Sequence, residues 1–270
     1  MDDRITKGSN HKIKRDPTAG KDKRLNKLIA DIMSKEDTVE TADDSSLDPD
    51  DTTGVLILSR EDLWKYKCSD SYPPFLDGLG KIHKDGVPLR EISRAVGSSG
   101  HELMKKVSEI LQPLVGTKRT FIREGYDFIR KIKTGSHKRG FQVSFDVEAL
   151  FPSIPMDEAL IILEKKIRND ATLSKCTDLS PDEILALSKE CVESPYFQCE
   201  LGMFMQDDGV PMGGPLSCII ADLFLEDYEE KIDFVINETH INDDWFRYKD
   251  DTWLIWEHSL QDLEAFLKTI

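Results

Sequence analysis

No run of 18 apolar residues occurs anywhere in this chain of 270 residues, and Met1 is followed by charged residues instead of apolar ones. A membrane-spanning helix needs about 20 predominantly apolar residues. A secretory leader needs an apolar core close to its start. The sequence therefore predicts neither a membrane span nor a secretory signal.

Cysteines are few and follow no metal-ligand pattern. No CxxC pair or Cys/His spacing occurs among the five, which are Cys68, Cys176, Cys191, Cys199 and Cys218. An odd number without such spacing argues against a zinc site and against a disulfide framework. We expect reduced thiols in an intracellular protein.

Basic residues are outnumbered by acidic ones, so that the formal net charge is −15 and the pI is about 4.9. Such a balance argues at first against nucleic-acid binding. Its distribution reverses that inference, because residues 81–140 hold 14 Lys and Arg against 6 Asp and Glu, whereas residues 141–270 hold 9 against 28. A basic segment of this kind can contact phosphates.

Residues 1–53 contain few aromatic residues and run from a basic stretch into an acidic one rich in Ser, Thr and Asp. Such a composition buries too little apolar surface to offset chain entropy. We expect a disordered N-terminal tail with at most one transient helix from Arg24 to Met33. The basic stretch, Lys12 to Lys27, is typical of a nuclear signal or a nucleic-acid arm, although such charge blocks are usually solvated tails, and we expect an intracellular, nuclear protein.

Two segments place carboxylates at the ends of apolar strands. Tyr248-Lys249-Asp250-Asp251 lies between apolar runs and is typical of a hairpin tip. Residues 141–147 alternate, so that Asp146 lies on the polar face of a half-buried strand. An Asp pair alone is usually a solvated turn. Three matched carboxylates instead indicate a site for Mg²⁺, which prefers carboxylate oxygens.

The remaining patterns predict an α+β order. Ser180 to Glu183 forms a capping box with Pro181 at the first helical position. Further helices are predicted at 103–111, 124–133, after Pro155, at 184–192 and at 216–234, with a hairpin at 196–206.

Four segments together resemble the motifs of a known polymerase family. Residues 145–155, 209–217 and 246–252 are similar, in this order, to motifs A, B and C of reverse transcriptases. Residues 78–90 resemble the fingers segment of the Penelope-like element reverse transcriptases. The resemblance runs from about Tyr72 to about Phe266.

The resemblance implies the fingers and palm of a right-hand polymerase, with an antiparallel palm sheet backed by helices. Residues 54–140 would be a fingers-like region and residues 141–270 the palm. Motif D, the thumb and a GIY-YIG endonuclease domain have no counterpart in the sequence, so we expect a C-terminally truncated form.

The implied activity is that of an RNA-directed DNA polymerase, a nucleotidyltransferase that uses two Mg²⁺ ions, with Mn²⁺ as a substitute. Metal ligands are implied at Asp146, the Val147 carbonyl, Asp250 and Asp251, and the three aspartates would be catalytic. Substrate contacts are implied at Lys81, Arg90, Phe151, Met212 and Gly213. Phe151 would exclude a ribose 2′-hydroxyl, although a Phe before Pro is equally typical of a core residue.

Implied partners are an RNA template, a DNA primer, deoxynucleoside triphosphates and a GIY-YIG endonuclease domain. A catalytically inactive partial copy of a retroelement is the alternative, and an acidic interaction domain without nucleic-acid chemistry is a third interpretation. The sequence departs from the family at Gly80, Glu91 and Lys249. Lys249 places a cation beside the predicted metal carboxylates.

Overall fold

The computed structural model describes residues 10–35, 56–82, 85–134, 140–193, 195–238 and 245–269, without the side chains of 233–238. It has a mixed α+β fold. The strands are β1 Asn10–Ile13, β2 Phe75–Gly80, β3 Leu89–Arg94, β4 Phe141–Asp146, β5 Tyr196–Cys199, β6 Gly202–Gln206, β7 Phe246–Tyr248 and β8 Asp251–Trp256. The helices are α1 Thr18–Met33, α2 His101–Leu111, α3 Gly125–Thr134, α4 Leu150–Ser153, α5 Met156–Asn169, α6 Pro181–Val192, α7 Ser217–Glu238 and α8 Leu260–Thr269.

The strands form two sheets. The larger sheet has the order β1-β6-β5-β2-β3, with β2 and β5 parallel and the other neighbours antiparallel. The smaller sheet has the order β4-β8-β7 and is antiparallel throughout. Strands from the predicted fingers-like region and from the predicted palm therefore share one sheet, and the boundary predicted at residue 140 stays a prediction.

Helices cover one face of the smaller sheet. Leu254 and Trp256 of β8 are fully buried, and they pack with Leu263 and Phe266 of α8. The main core lies among α1, α2, α5, α6 and α7, whose apolar faces meet at residues such as Leu187. Among the described residues, no helix combines the length and the apolar run that a membrane crossing requires.

The predicted N-terminal tail is wrong for residues 10–35. Strand β1 pairs with β6, and α1 contacts both α6 and the 3-10 turn Glu61–Tyr66. Leu25, Ile29 and Ile32 are at most 1% exposed. The apolar stripe of α1 is too small to fold alone, but partners distant in sequence cover it. Residues 1–9 and 36–55 lie outside the described part of the chain.

Most of the other predicted elements are confirmed. Ser180 accepts a hydrogen bond from the Glu183 N–H, and the Glu183 side chain accepts one from the Ser180 N–H, which completes the capping box. The hairpin at 196–206 turns at 200–201 between β5 and β6. The five cysteines are free thiols.

Candidate active site

Strand β4 carries Asp146 at its C-terminal end. The side chains of Val143 and Phe145 are half-buried, whereas those of Gln142, Ser144 and Asp146 are exposed. The predicted alternation is therefore confirmed from residue 142 onward. It turns the Asp146 carboxylate toward solvent on the face opposite the core.

The hairpin β7–β8 brings its two aspartates to the end of β4. Asp146 and Asp251 are directly opposed in the antiparallel pair of β4 and β8. Opposed residues share a face, with Cβ atoms about 4.5–5.5 Å apart. The Val147 N–H also donates to the Asp250 carbonyl at 3.1 Å, so the backbone after Asp146 is joined to the turn.

These carboxylates act on one another electrostatically. Partial desolvation raises the pKa of Asp251, and the charges of Asp250 and Asp146 raise it further. The three side chains are therefore close enough to form one negative region. Among the described residues, however, no group of three or more His, Cys, Asp or Glu is already arranged to enclose a metal ion.

A buried ionic network holds the hairpin against α7, and sequence reasoning missed it. The Arg247 Nε donates to Glu229 Oε1 at 2.8 Å, and the Lys249 Nζ donates to Asp222 Oδ2 at 2.5 Å. Asp222, Glu226 and Glu229 are each less than 10% exposed. Their spacing places three buried acids on one face of α7, a pattern that indicates cationic partners, because a buried carboxylate needs one.

A cavity of about 260 Å³ collects most of the predicted substrate contacts. Lys81, Arg90 and Met212 all line it. Ala149 and Pro152, from the segment that follows Asp146, line it as well. Neither Lys81 nor Arg90 has a side-chain hydrogen bond or an ion pair within the part of the chain that the structure describes. His83 and Lys84, in the same predicted segment, lie outside the described residues.

The loop 209–217 is pressed between α4 and β3, and two glycines permit this. A Cβ on Gly209 would lie 2.6 Å from the Phe151 carbonyl oxygen, and one on Gly213 would lie 2.5 Å from the Ser93 carbonyl oxygen. Both glycines have positive φ angles, +79° and +109°. The Ser93 N–H donates to the Met212 carbonyl at 2.7 Å. Gly213 therefore places Met212 in the cavity through close backbone contact with β3.

Phe151 occupies a different environment from the other predicted substrate contacts. Its ring is half-buried and packs against the main core. Its neighbours Ala149 and Pro152 line the cavity, whereas Phe151 is absent from the lining. Its carbonyl accepts a hydrogen bond from the Val210 N–H at 2.9 Å. The structure thus brings Lys81, Arg90 and Met212 together along the cavity, whereas the half-buried Phe151 ring packs against the main core.

Comparison with solved structures shows that the fold of this chain is a known one. The chain superposes on apo telomerase from Candida tropicalis, truncated from its C-terminal domain, with a TM-score of 0.53 and 13% identity over 72% of this chain and 46% of that chain. The chain has a reverse-transcriptase-like fold. Telomerase from Candida albicans, solved in complex with a TWJ fragment of telomeric RNA, gives a TM-score of 0.52 and 13% identity over 74% of this chain and 40% of that one.

The likeness concerns the fold alone, because the identity is only 13%. The chain spans less than half the length of these telomerase structures. No protein-family model and no curated protein matches it. Within a reverse-transcriptase-like fold, the roles of individual residues therefore rest on the geometry of the site.

Proposed function

We propose that this chain is the fingers and palm of an RNA-directed DNA polymerase of the Penelope-like type. One observation carries the proposal: Asp146 and Asp251 are directly opposed at the end of an antiparallel sheet, in a reverse-transcriptase-like fold. The element type rests on the resemblance of residues 78–90 alone. The reaction would extend a DNA primer on an RNA template.

The carboxylates suit Mg²⁺ in an open site. Mg²⁺ usually takes one or two carboxylates and completes its shell with water and substrate phosphates. A directly opposed pair, Asp146 and Asp251, with Asp250 beside it, matches that need better than a closed cage would. Asp146, Asp250, Asp251 and the Val147 carbonyl would hold the ions. When bound, Mg²⁺ would supply charge neutralisation and a lower pKa for the primer 3′-hydroxyl.

The cavity residues would bind the incoming deoxynucleoside triphosphate. Arg90 and Lys81 face the cavity without a carboxylate partner among the described residues, so their charges are available to phosphate oxygens. Met212, held by the Ser93 N–H, would support the nucleotide base. In the reaction the primer 3′-oxygen bonds to the α-phosphorus as the bond to pyrophosphate breaks. The chain would hold the attacking 3′-oxygen, the α-phosphorus and the leaving pyrophosphate oxygen in line.

The test is primer extension with an RNA template, a DNA primer and deoxynucleoside triphosphates in Mg²⁺. We expect the chain to extend the primer and Asp146→Asn to lower the rate by at least about 10³-fold, since metal charge stabilisation is worth several kcal/mol. Binding of the RNA/DNA hybrid, measured by fluorescence anisotropy, should stay within about threefold, because phosphate contacts dominate affinity.

Glu148→Gln is the matched control, because Glu148 is an exposed carboxylate two residues beyond Asp146. We expect it to keep near-normal extension. Retained activity in Asp146→Asn would overturn the metal assignment. If the unaltered chain binds the hybrid but does not extend it, this chain is not an active polymerase on its own, which is the outcome that the inactive-copy alternative expects.

A further inference from the structure

Lys249 is a cation placed next in sequence to Asp250, inside the hairpin that would hold the metal ions. We propose that Asp222 is a positioning residue that holds the Lys249 ammonium away from Asp146, Asp250 and Asp251. The net negative charge around the three carboxylates is then not reduced by a neighbouring ammonium. This inference rests on the proposed function.

The side chain of Lys249 is directed at helix α7. Its Nζ lies 2.5 Å from Asp222 Oδ2, and the Asp222 side chain is only 3% exposed. The Lys249 side chain itself is 44% exposed, so solvent alone would leave it free to turn elsewhere. A nearly dry carboxylate attracts an ammonium more strongly than an exposed one does, because water screens it less.

Arg247 holds the backbone of the same turn. Its Nη1 donates to the Lys249 carbonyl at 3.1 Å and lies 3.6 Å from Asp222 Oδ1. Arg247 is opposed to Thr252 in the register, so it lies on the buried face, whereas the opposed pair Asp146 and Asp251 lies on the other face. Main chain and side chain of Lys249 are thus both tied to the α7 side of the sheet.

Release of Lys249 would place a mobile ammonium within reach of the predicted metal ligands. It would compete with a divalent cation for the same carboxylates. One positive charge a few ångströms from a partly exposed site weakens cation binding by about fivefold or more. The buried Asp222 is in this view part of the metal site, although it binds no metal.

The first test is direct Mn²⁺ binding to the protein without nucleic acid, measured by the loss of the free-ion electron paramagnetic resonance signal. We expect Asp222→Asn to weaken Mn²⁺ binding by about fivefold or more. Asp227→Asn is the matched control, because Asp227 is buried on the same helix but pairs with Lys231 instead of the hairpin. It should bind Mn²⁺ as the unaltered protein does.

The deciding test is rescue. In the double variant Asp222→Asn with Lys249→Met the competing ammonium is gone, so Mn²⁺ affinity should return to within about twofold of the unaltered value. The Mn²⁺ affinity of Lys249→Met alone should also stay within about twofold of the unaltered value. This single variant provides the test if Asp222→Asn does not fold. A double variant that stays weak, or a single Lys249→Met that binds at least about fivefold tighter, overturns the proposal. If the unaltered protein binds no Mn²⁺, both the proposed function and this inference fail.

Discussion

At the scale of single residues, two that are not glycine hold a left-handed backbone beside the predicted metal ligands. Ala149 has φ +53° and Lys249 has φ +56°. Such conformations cost on the order of 1–3 kcal/mol and persist where the surroundings hold them. The Ala149 carbonyl accepts from the Ser153 N–H, and Arg247 holds the Lys249 carbonyl. Both contacts define the chain path next to Asp146 and Asp250.

Phe151 offers a residue-scale prediction, because its half-buried ring can act as a sugar gate or as core. If it is a gate, Phe151→Val should raise ribonucleotide incorporation relative to deoxyribonucleotide by about 10–100-fold, the range for removing one steric clash. Competitive single-nucleotide extension measures this ratio. Leu160→Val, which trims a half-buried residue against the same core, is the control. An unchanged sugar preference with lower stability would make Phe151 a core residue.

At the scale of elements, the N-terminus of α6 joins three separate segments. Glu183 caps the helix and also accepts two hydrogen bonds from Arg60, at 2.7 and 2.9 Å. Arg60 donates in turn to the Ile32 carbonyl at the end of α1. Burial would raise the pKa of Glu183, but the hydrogen bonds of Arg60 and Ser180 outweigh it and lower the pKa to about 2.

The pKa of Glu183 predicts a dependence of stability on pH. Because the folded pKa lies below the usual 4.5, the stabilisation is complete above pH 4.5 and is lost as the pH falls toward 2. We expect Glu183→Gln to lower the free energy of unfolding at pH 7 by about 3 kcal/mol and to flatten its decline between pH 4.5 and 3. Urea unfolding at several pH values measures both effects.

The control for this prediction is Glu190→Gln, which removes the more exposed pair with Arg24. Such a pair contributes about 0–1 kcal/mol. If Glu183→Gln costs no more than Glu190→Gln, the link between α6, Arg60 and α1 does not stabilise the fold.

At the scale of the whole molecule, the N-terminal segment is part of the domain. Strand β1 forms an edge of the larger sheet, and α1 closes the core against α6. The buried Lys21 Nζ donates to the carbonyls of Cys191 and Glu193, both at 3.2 Å. Burial lowers the pKa of Lys21, and the two carbonyls compensate its desolvated ammonium.

This architecture predicts that Ile29→Ala destabilises the entire fold. Ile29 is fully buried, so the loss of its side chain should lower the free energy of unfolding by about 2–5 kcal/mol. Lys27→Ala, on the exposed face of the same helix, should change it by at most about 0.5 kcal/mol. Chemical denaturation followed by tryptophan fluorescence measures both. Equal, small effects would show that α1 is not part of the cooperative unit.

The sequence by itself determined the local helices and strands, and it predicted in part which residues of the site lie together. Alternation placed Asp146 on the polar face of β4, the capping box located α6, and the tetrad at 248–251 located the second hairpin. Each of these depends on neighbours a few residues apart, which a linear pattern can show. The family motifs predicted the fold of a polymerase, and the likeness to solved structures supports a reverse-transcriptase-like fold.

Only the tertiary structure decided which residues pair with the buried charged groups and which helices cover the apolar surfaces. Lys249 meets Asp222, 27 residues away, and Lys21 meets Cys191, 170 residues away. Residues 10–35 looked too polar to fold because their composition does not show that distant helices cover their apolar stripe. Burial and ion pairing depend on long-range contacts, so a linear sequence reveals the residues that need partners but not the partners themselves.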